Sequence, residues 1–349
     1  MGSIWRVVMV VLVVAVAGCG GSEPDPRGLA APSLAPMIRA AVPRAPAVRL
    51  VRWRGPVEHL FFHTLVIRPR LAFRDDAFGR SLRDYFVTVR EFRSILRRMY
   101  ANGWTLVDLH RVVAGRVRVP RGRRPFVLSE DDVNYYDNGR GRGLGNRLVL
   151  DAAGDVKVEE PVGRGRRVTG NDIVPIVEAF VARHPLFSAE GARGVLALTG
   201  YQGLFGERIQ QAGPGRPAAL SRARAVAARL RATGWTFASH TYGHIDLSRT
   251  SAADVQADSD RWARLAWPVI GVTDVLIYPF GARPPEGSET ARVLRRAGFT
   301  IQCDIDVSVR LVRSEDVSFM SRRHVDGLAL DGQQEALRPF FSARLVRER

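Results

Sequence analysis

Short apolar runs alternate along this chain with stretches whose apolar residues fall at helical spacing, and that alternation narrows the possible folds more than any other feature. Residues 60–66, 104–107, 125–129, 194–199, 235–239, 275–278 and a run around Ile301 read as strands. Between them, 84–100 carries Phe86, Val89, Phe92, Ile95, Leu96 and Met99 on one face, and 173–183, 221–232, 254–265 and 288–297 also read as helices. Gly103, Gly234 and Gly298 stand where three of these helices should stop. Residues 147–168 read as a hairpin excursion that turns at 151–155. Strand–helix repeats of this kind predict an α/β architecture around a mostly parallel sheet, open or closed into a barrel. Such folds place their chemistry at the carboxyl ends of the strands.

The first residues are set apart from that pattern. A weakly positive start precedes an apolar run at 7–17, too short for a membrane span and of signal-peptide length. The run closes on Val16-Ala17-Gly18-Cys19. This resembles the bacterial lipoprotein signal, in which Cys19 becomes the lipidated first residue. The expected organisation is a signal at 1–18, an Ala/Pro-rich tether at 19–52, and one catalytic domain at 53–349. Export to the extracytoplasmic face of a membrane, with a lipid anchor at Cys19, follows as an expectation. With Cys19 so used, Cys303 has no partner for a disulfide and reads as a buried strand residue. The formal net charge of +17 comes almost wholly from arginine, since Lys157 is the only lysine. No basic stripe with interleaved aromatics stands out, so nucleic acid is not expected as a partner. Anionic envelope polymers or lipid head groups are the expected use of the charge.

Two polar motifs follow strand-like runs. Asp131-Asp132 comes after the run at 125–129, and His240-Thr241-Tyr242-Gly243-His244 comes after the run at 235–239. One carboxylate and two imidazoles are a ligand set for a divalent metal that leaves a coordination position open, and the second carboxylate remains free as a base. Pro279-Phe280-Gly281 also follows a strand, so three segments converge on one end of the predicted sheet.

These segments, in this order, resemble the polysaccharide deacetylases, the NodB-homology group of carbohydrate esterases. Leu128-Ser129-Glu130-Asp131-Asp132 is similar to the family's first motif, Ser239-His240-Thr241-Tyr242-Gly243-His244 to its second, and Ile277-Tyr278-Pro279-Phe280-Gly281 to its third. The resemblance implies a distorted (β/α)7-type barrel and removal of N- or O-acetyl groups from a glycan. It also implies a divalent ion, Zn²⁺ in the first place, with Co²⁺ or Mn²⁺ as alternatives. By motif position it implies Asp131 as the catalytic base and Asp132, His240 and His244 as the metal ligands. His324 is the nearest counterpart of the family's acid. Tyr135, Tyr242, Pro279 and Phe280 are the expected substrate-binding residues, and an acetylated glycan the expected partner. The chain departs from the pattern at Glu130, which adds a carboxylate where an aromatic is usual, and at Val133, where a glycine is usual. It departs again at Ile277, where the family often has an arginine that steadies the base; Arg283 is the nearby candidate to replace it. Two alternatives stand beside the deacetylase: a non-catalytic glycan-binding lipoprotein with a retained metal site, and a metal hydrolase of another acyl amide or ester.

Overall fold

A computed structural model describes residues 49–348. Seven parallel strands close on themselves: β1 (Glu58–His63), β2 (Arg124–Asp131), β3 (Val195–Leu198), β4 (Thr236–Ser239), β5 (Val275–Ile277), β6 (Ile301–Ile305) and β7 (Ser318–His324). They stand in chain order around the ring, and the closing contacts are β7 to β6, from Ile301↔Ser318 to Ile305↔Arg322, and β7 to β1, at Arg323↔Leu60 and His324↔Phe61. The expected barrel is therefore present. Six helices of the outer layer are α1 (Val89–Ala101), α2 (Ile173–Arg183), α3 (Arg216–Thr233), α4 (Ala252–Ile270), α5 (Glu289–Arg296) and α6 (Gly327–Gly332).

Alternation along the strands divides the core. Leu60, Phe62, Phe126, Leu128, Leu196 and Leu198 face the helices, whereas Val127, Val195, Ala197, Ala238, Ile277, Cys303 and Met320 fill the barrel. Fully burying each large side chain of this kind contributes ~1.5–3 kcal/mol. Cys303, expected on a buried strand, lies in the lumen, where burial pushes its thiol up to about 12.

The helical stretch expected at 84–100 is two elements. One helix ends at Tyr85, and α1 begins only after Thr88. The Thr88 hydroxyl accepts from the Glu91 N–H at 3.1 Å, and the Glu91 carboxylate accepts from the Thr88 N–H at 2.7 Å. This reciprocal cap satisfies two orphan donors and fixes the start there. The excursion between β2 and α2 is a three-stranded antiparallel sheet (Arg147–Leu150, Val156–Val162, Gly165–Thr169), one strand more than the expected hairpin. Leu50–Arg52, at the end of the stretch read as tether, pairs with Arg118–Pro120. The signal and Cys19 lie outside the described residues, and among those described no helix is long and apolar enough to cross a membrane.

β7 was not anticipated. Its inward face reads Ser318, Met320, Arg322 and His324, and its outward face carries Arg323, so the segment has the period of a strand without the composition of a buried one.

Candidate metal centre

β2 ends at Asp131, and the next residue, Asp132, turns the chain at φ 61°. Thr241 (φ 60°), His244 (φ 54°) and Phe280 (φ 59°), in the loops after β4 and β5, hold the same left-handed conformation. Each costs on the order of 1–3 kcal/mol and persists only where the surroundings impose it. The imposing contacts are visible. Asn134 clasps the end of β3, its carbonyl oxygen accepting from Thr199 N–H at 2.9 Å and its amide donating to the Thr199 and Gly203 carbonyls. Asp258 of α4 accepts from the N–H groups of Tyr242 and Gly243 at 2.7 and 2.8 Å, which sets the loop that carries His244.

Asp132, His240 and His244 each present one ligand atom, and the three atoms lie within 4.8 Å of one another. The Nε2 atoms of His240 and His244 stand 3.9 and 3.8 Å from Asp132 Oδ1. That is too far for a hydrogen bond and suits donors that each approach a shared ion at about 2.0–2.2 Å. The chemistry of the donors fits as well. His240 donates its Nδ1–H to the Ile277 carbonyl at 2.8 Å, so Nε2 keeps a free lone pair. Burial pushes His244 down to about 4 against the opposing pull of Asp132, so its imidazole is neutral at ordinary pH. Burial would raise Asp132, but His244, His240 and His63 together outweigh it and hold its carboxyl low. Tyr136 donates its hydroxyl to Asp132 Oδ1 at 2.6 Å and fixes that oxygen from behind.

Asp131 points into the lumen and is held apart from the triad. Arg322 of β7, with no exposed surface, donates Nη1–H to Asp131 Oδ1 at 2.7 Å and Nη2–H to Oδ2 at 2.9 Å. The same Nη1 reaches Ser129 Oγ at 3.2 Å, the guanidinium lies 4.2 Å over the Phe61 ring, and His59 Nε2 meets Ser129 Oγ at 3.0 Å. Burial pulls the Asp131 carboxyl upward, and Arg322 and His240 overcome it and hold it down to about 2. Arg283, the sequence candidate for this contact, instead lies over Phe319 at 3.8 Å and reaches Glu286 at 3.4 Å. Arg322 is the residue that sequence reasoning missed. The signal available was its alternation with Met320 on one face of a short run.

Several other expectations change. Glu130 does not sit with the pair: the pleat turns it to the helix side, beside Asp172 and Tyr135. Tyr135, expected to meet substrate, is 5% exposed and donates its hydroxyl to Asp172 at 2.7 Å, so it belongs to the core. Val133, where the family usually has a glycine, is buried and donates its N–H to the Ala197 carbonyl at 3.2 Å. Pro279 is buried, Tyr242 is partly buried against the core, and Phe280 is 45% exposed with its ring centroid 4.6 Å from that of His244.

The two remaining histidines near the mouth differ. His63 ends β1 directly opposite Asp131 in the parallel register, and its charge acts on Asp131, Asp132 and His244. Its Nδ1 bonds the Tyr85 carbonyl at 2.9 Å. His324 pairs with Phe61, two positions earlier on β1; its Nδ1 meets Asp326 at 2.9 Å and its Nε2 meets Gln333 at 2.7 Å.

No protein-family model and no curated protein matches this chain. Among solved structures, a de-N-acetylase from Aggregatibacter actinomycetemcomitans is similar with a TM-score of 0.50 at 11% identity, covering 82% of this chain and 99% of that one. A Streptococcus pyogenes deacetylase determined with acetate is similar at a TM-score of 0.44 and 13% identity, covering 78% and 92% of the two chains. IcaB from Ammonifex degensii is similar at 0.44 and 15%, covering 82% and 97%. The first of these shares the closed (β/α)7 barrel, and at such identity the likeness concerns the fold alone.

Proposed function

We propose that this chain is a metal-dependent deacetylase that removes acetyl groups from an N- or O-acetylated polysaccharide of the cell envelope or extracellular space. The observation that carries the reading is a carboxylate and two imidazoles gathered within 4.8 Å at the mouth of the barrel, beside a second carboxylate held by its own counter-charge. Structural metal sites close their coordination shell with protein ligands, whereas three ligands leave room for a reactant. Export and lipid anchoring at Cys19 belong to the same proposal.

Asp132, His240 and His244 would hold the ion, with Zn²⁺ the first candidate and Co²⁺ or Mn²⁺ its alternatives. When bound, such an ion brings the pKa of water to about 7 and polarises an acyl carbonyl. Asp131 accepts the proton of the attacking water, and Arg322 keeps that carboxylate ionised and aimed. His63 takes the acid role that the sequence resemblance gave to His324. With Nδ1 on the Tyr85 carbonyl, His63 has Nε2 as its exchangeable nitrogen, on the strand end opposite the base. Both nitrogens of His324 are already engaged, Nδ1–H by Asp326 and Nε2 by the Gln333 amide. Phe280 offers its exposed ring to a sugar face beside His244, with Tyr242 and Pro279 backing that wall.

Acetate release from acetylated chito-oligosaccharides tests the reading. The purified chain should release acetate with Zn²⁺ or Co²⁺, stop with EDTA, and lose at least about 100-fold in rate in Asp131→Asn and in His63→Gln, the range of general acid–base catalysis. His324→Gln should lose far less. Release that survives EDTA would sink the metal-dependent reading. One observation favours a second reading, a glycan-binding protein without turnover: both Asp131 oxygens are engaged by Arg322, which weakens the base. Zn²⁺ binding with no acetate release from any N- or O-acetylated glycan would select it.

A further inference from the structure

The arginine-rich composition is not spread evenly over the surface. On the flank of the barrel, between the three-stranded excursion and the start of α3, lies a cleft of about 400 Å³ lined by Arg140, Arg147, Arg166, Arg208, Arg216 and Arg222. Three carboxylates answer these six guanidinium groups. Arg147 divides itself between Glu159 and Glu207 at 2.8 Å each, Arg222 grips Glu207 at 2.7 and 2.8 Å, and Arg140 and Arg208 share Asp137 at 2.7 and 2.9 Å. Those contacts brace the cleft and use up its negative charge.

Two arginines are left over. Arg216 is exposed, and among the described residues its side chain makes one hydrogen bond, Nε–H to the Ile209 carbonyl at 2.8 Å, which engages neither Nη group. Arg166 is two-thirds exposed and stands 3.6 Å from a Glu159 oxygen that Arg147 already holds. Gly215 and Arg216, the cap and first residue of the 18-residue α3, both line the cleft, and the first turn of that helix contains no acidic residue. Positive charge that a protein concentrates in a concave place and does not compensate itself is matched by an anion from outside, and guanidinium forks suit the paired oxygens of phosphate and carboxylate.

The cleft is joined to the metal centre by one stretch of chain. Asp132 is in the triad, Tyr136 donates to it, and Asp137 and Arg140 are already in the arginine cluster. Arg208 ties the two ends by donating to the carbonyls of Asn134 and Tyr135 at 3.2 and 2.6 Å.

We propose that this arginine cleft binds the oxyanion groups, phosphate or carboxylate, of a negatively charged polysaccharide, so that the barrel works on an acidic rather than a neutral glycan. The inference rests on the glycan reading above for its biological sense, but its test does not depend on turnover. Binding of phosphomannan, polygalacturonate and neutral dextran to the full chain is measured by isothermal titration calorimetry at low and high salt. The expected result is salt-sensitive binding of at least one acidic polymer and none of dextran. Arg166→Gln with Arg216→Gln should weaken that binding at least about ten-fold, as loss of two charge-assisted contacts requires, with an unchanged circular dichroism spectrum. Replacing both by Lys keeps the charge but not the paired donors and should recover only part of the affinity. Preference for phosphomannan identifies phosphate as the recognised group, and preference for polygalacturonate identifies carboxylate. Failure of both acidic polymers to bind, binding that the double Gln variant leaves intact, or tighter binding of single-stranded DNA than of either polymer overturns the proposal. Absence of acetate release from neutral oligosaccharides counts only against the deacetylase reading.

Discussion

Asp131 and Glu130 are neighbours on one strand, both fully buried, and the fold treats them in opposite ways. Asp131 faces the lumen, where a bidentate arginine holds it ionised down to about 2. Glu130 faces the helical layer, where neither of its oxygens has a hydrogen-bond partner and burial, then Asp172 and Asp131, push its carboxyl well above the usual range. Asp172 beside it is also raised, to about 6, by burial that outweighs its bonds from Tyr135, Ile173 and Leu65. A carboxylate in low dielectric survives as a charge only with a counter-charge, and otherwise keeps its proton. The chain supplies the counter-charge on the side where the proposed chemistry needs an anion and omits it on the side that only needs filling.

The strongest way to break this comparison is to remove a ligand on the lumen side. His240→Ala should abolish Zn²⁺ retention and cut acetate release by on the order of 10³-fold, since a metal supplies several kcal/mol at ten-fold per ~1.4 kcal/mol. An unchanged rate with added Zn²⁺ would show that the triad is not the catalytic ion's site. Next comes the pair of variants Arg322→Met and Glu130→Gln, compared by urea unfolding at pH 7. The first strands a buried carboxylate and should cost about 3–5 kcal/mol. The second replaces a neutral acid by a neutral amide and should change stability by less than about 1.5 kcal/mol. Equal losses would erase the distinction.

How far these two sides were legible from sequence differs for a physical reason. Five of the barrel strands, β2 to β6, were visible as apolar runs within a residue or two, and the lumen-side motif residues Asp131, Asp132, His240 and His244 were found because each follows such a run. The arginine that completes the lumen was not. β7 buries Arg322 and Arg323, and a reader of hydropathy takes an arginine pair for solvated surface. Only tertiary pairing with Asp131 makes Arg322 a core residue. The pleat also decided what adjacency concealed: Glu130, next to Asp131 in sequence, is on the other face of the sheet, and Tyr135 follows it into the core. The arginine cleft was equally hidden, because its six residues come from four separate stretches of chain.

Smaller effects sharpen the account. Tyr136→Phe removes the donor behind Asp132 and should weaken Zn²⁺ affinity about 10–100-fold; competition with a chromogenic chelator would read it, and an unchanged affinity would make that contact incidental. The last effect lies on the helix side. Asp172 titrates near 6 in the fold and at about 3.9 when unfolded, so the unfolded chain releases its proton first. Stability from this group is fully present below about pH 4 and declines as pH rises through about 6. Asp172→Asn keeps an acceptor for the Ile173 and Leu65 N–H groups and should flatten that decline. A wild-type curve that instead rises between pH 4 and 6 in proportion to this residue would contradict the assignment.

Zinc stoichiometry by equilibrium dialysis tests the central claim most directly, because it separates the carboxylate of the triad from the unpartnered Glu130 without recourse to turnover. The wild-type chain and Glu130→Gln should each hold about one equivalent, while Asp132→Ala should hold almost none, as a site stripped of one of three ligands requires. Retention of zinc by Asp132→Ala, or its loss in Glu130→Gln, would contradict the assignment of the metal to the triad and of Glu130 to the helix side.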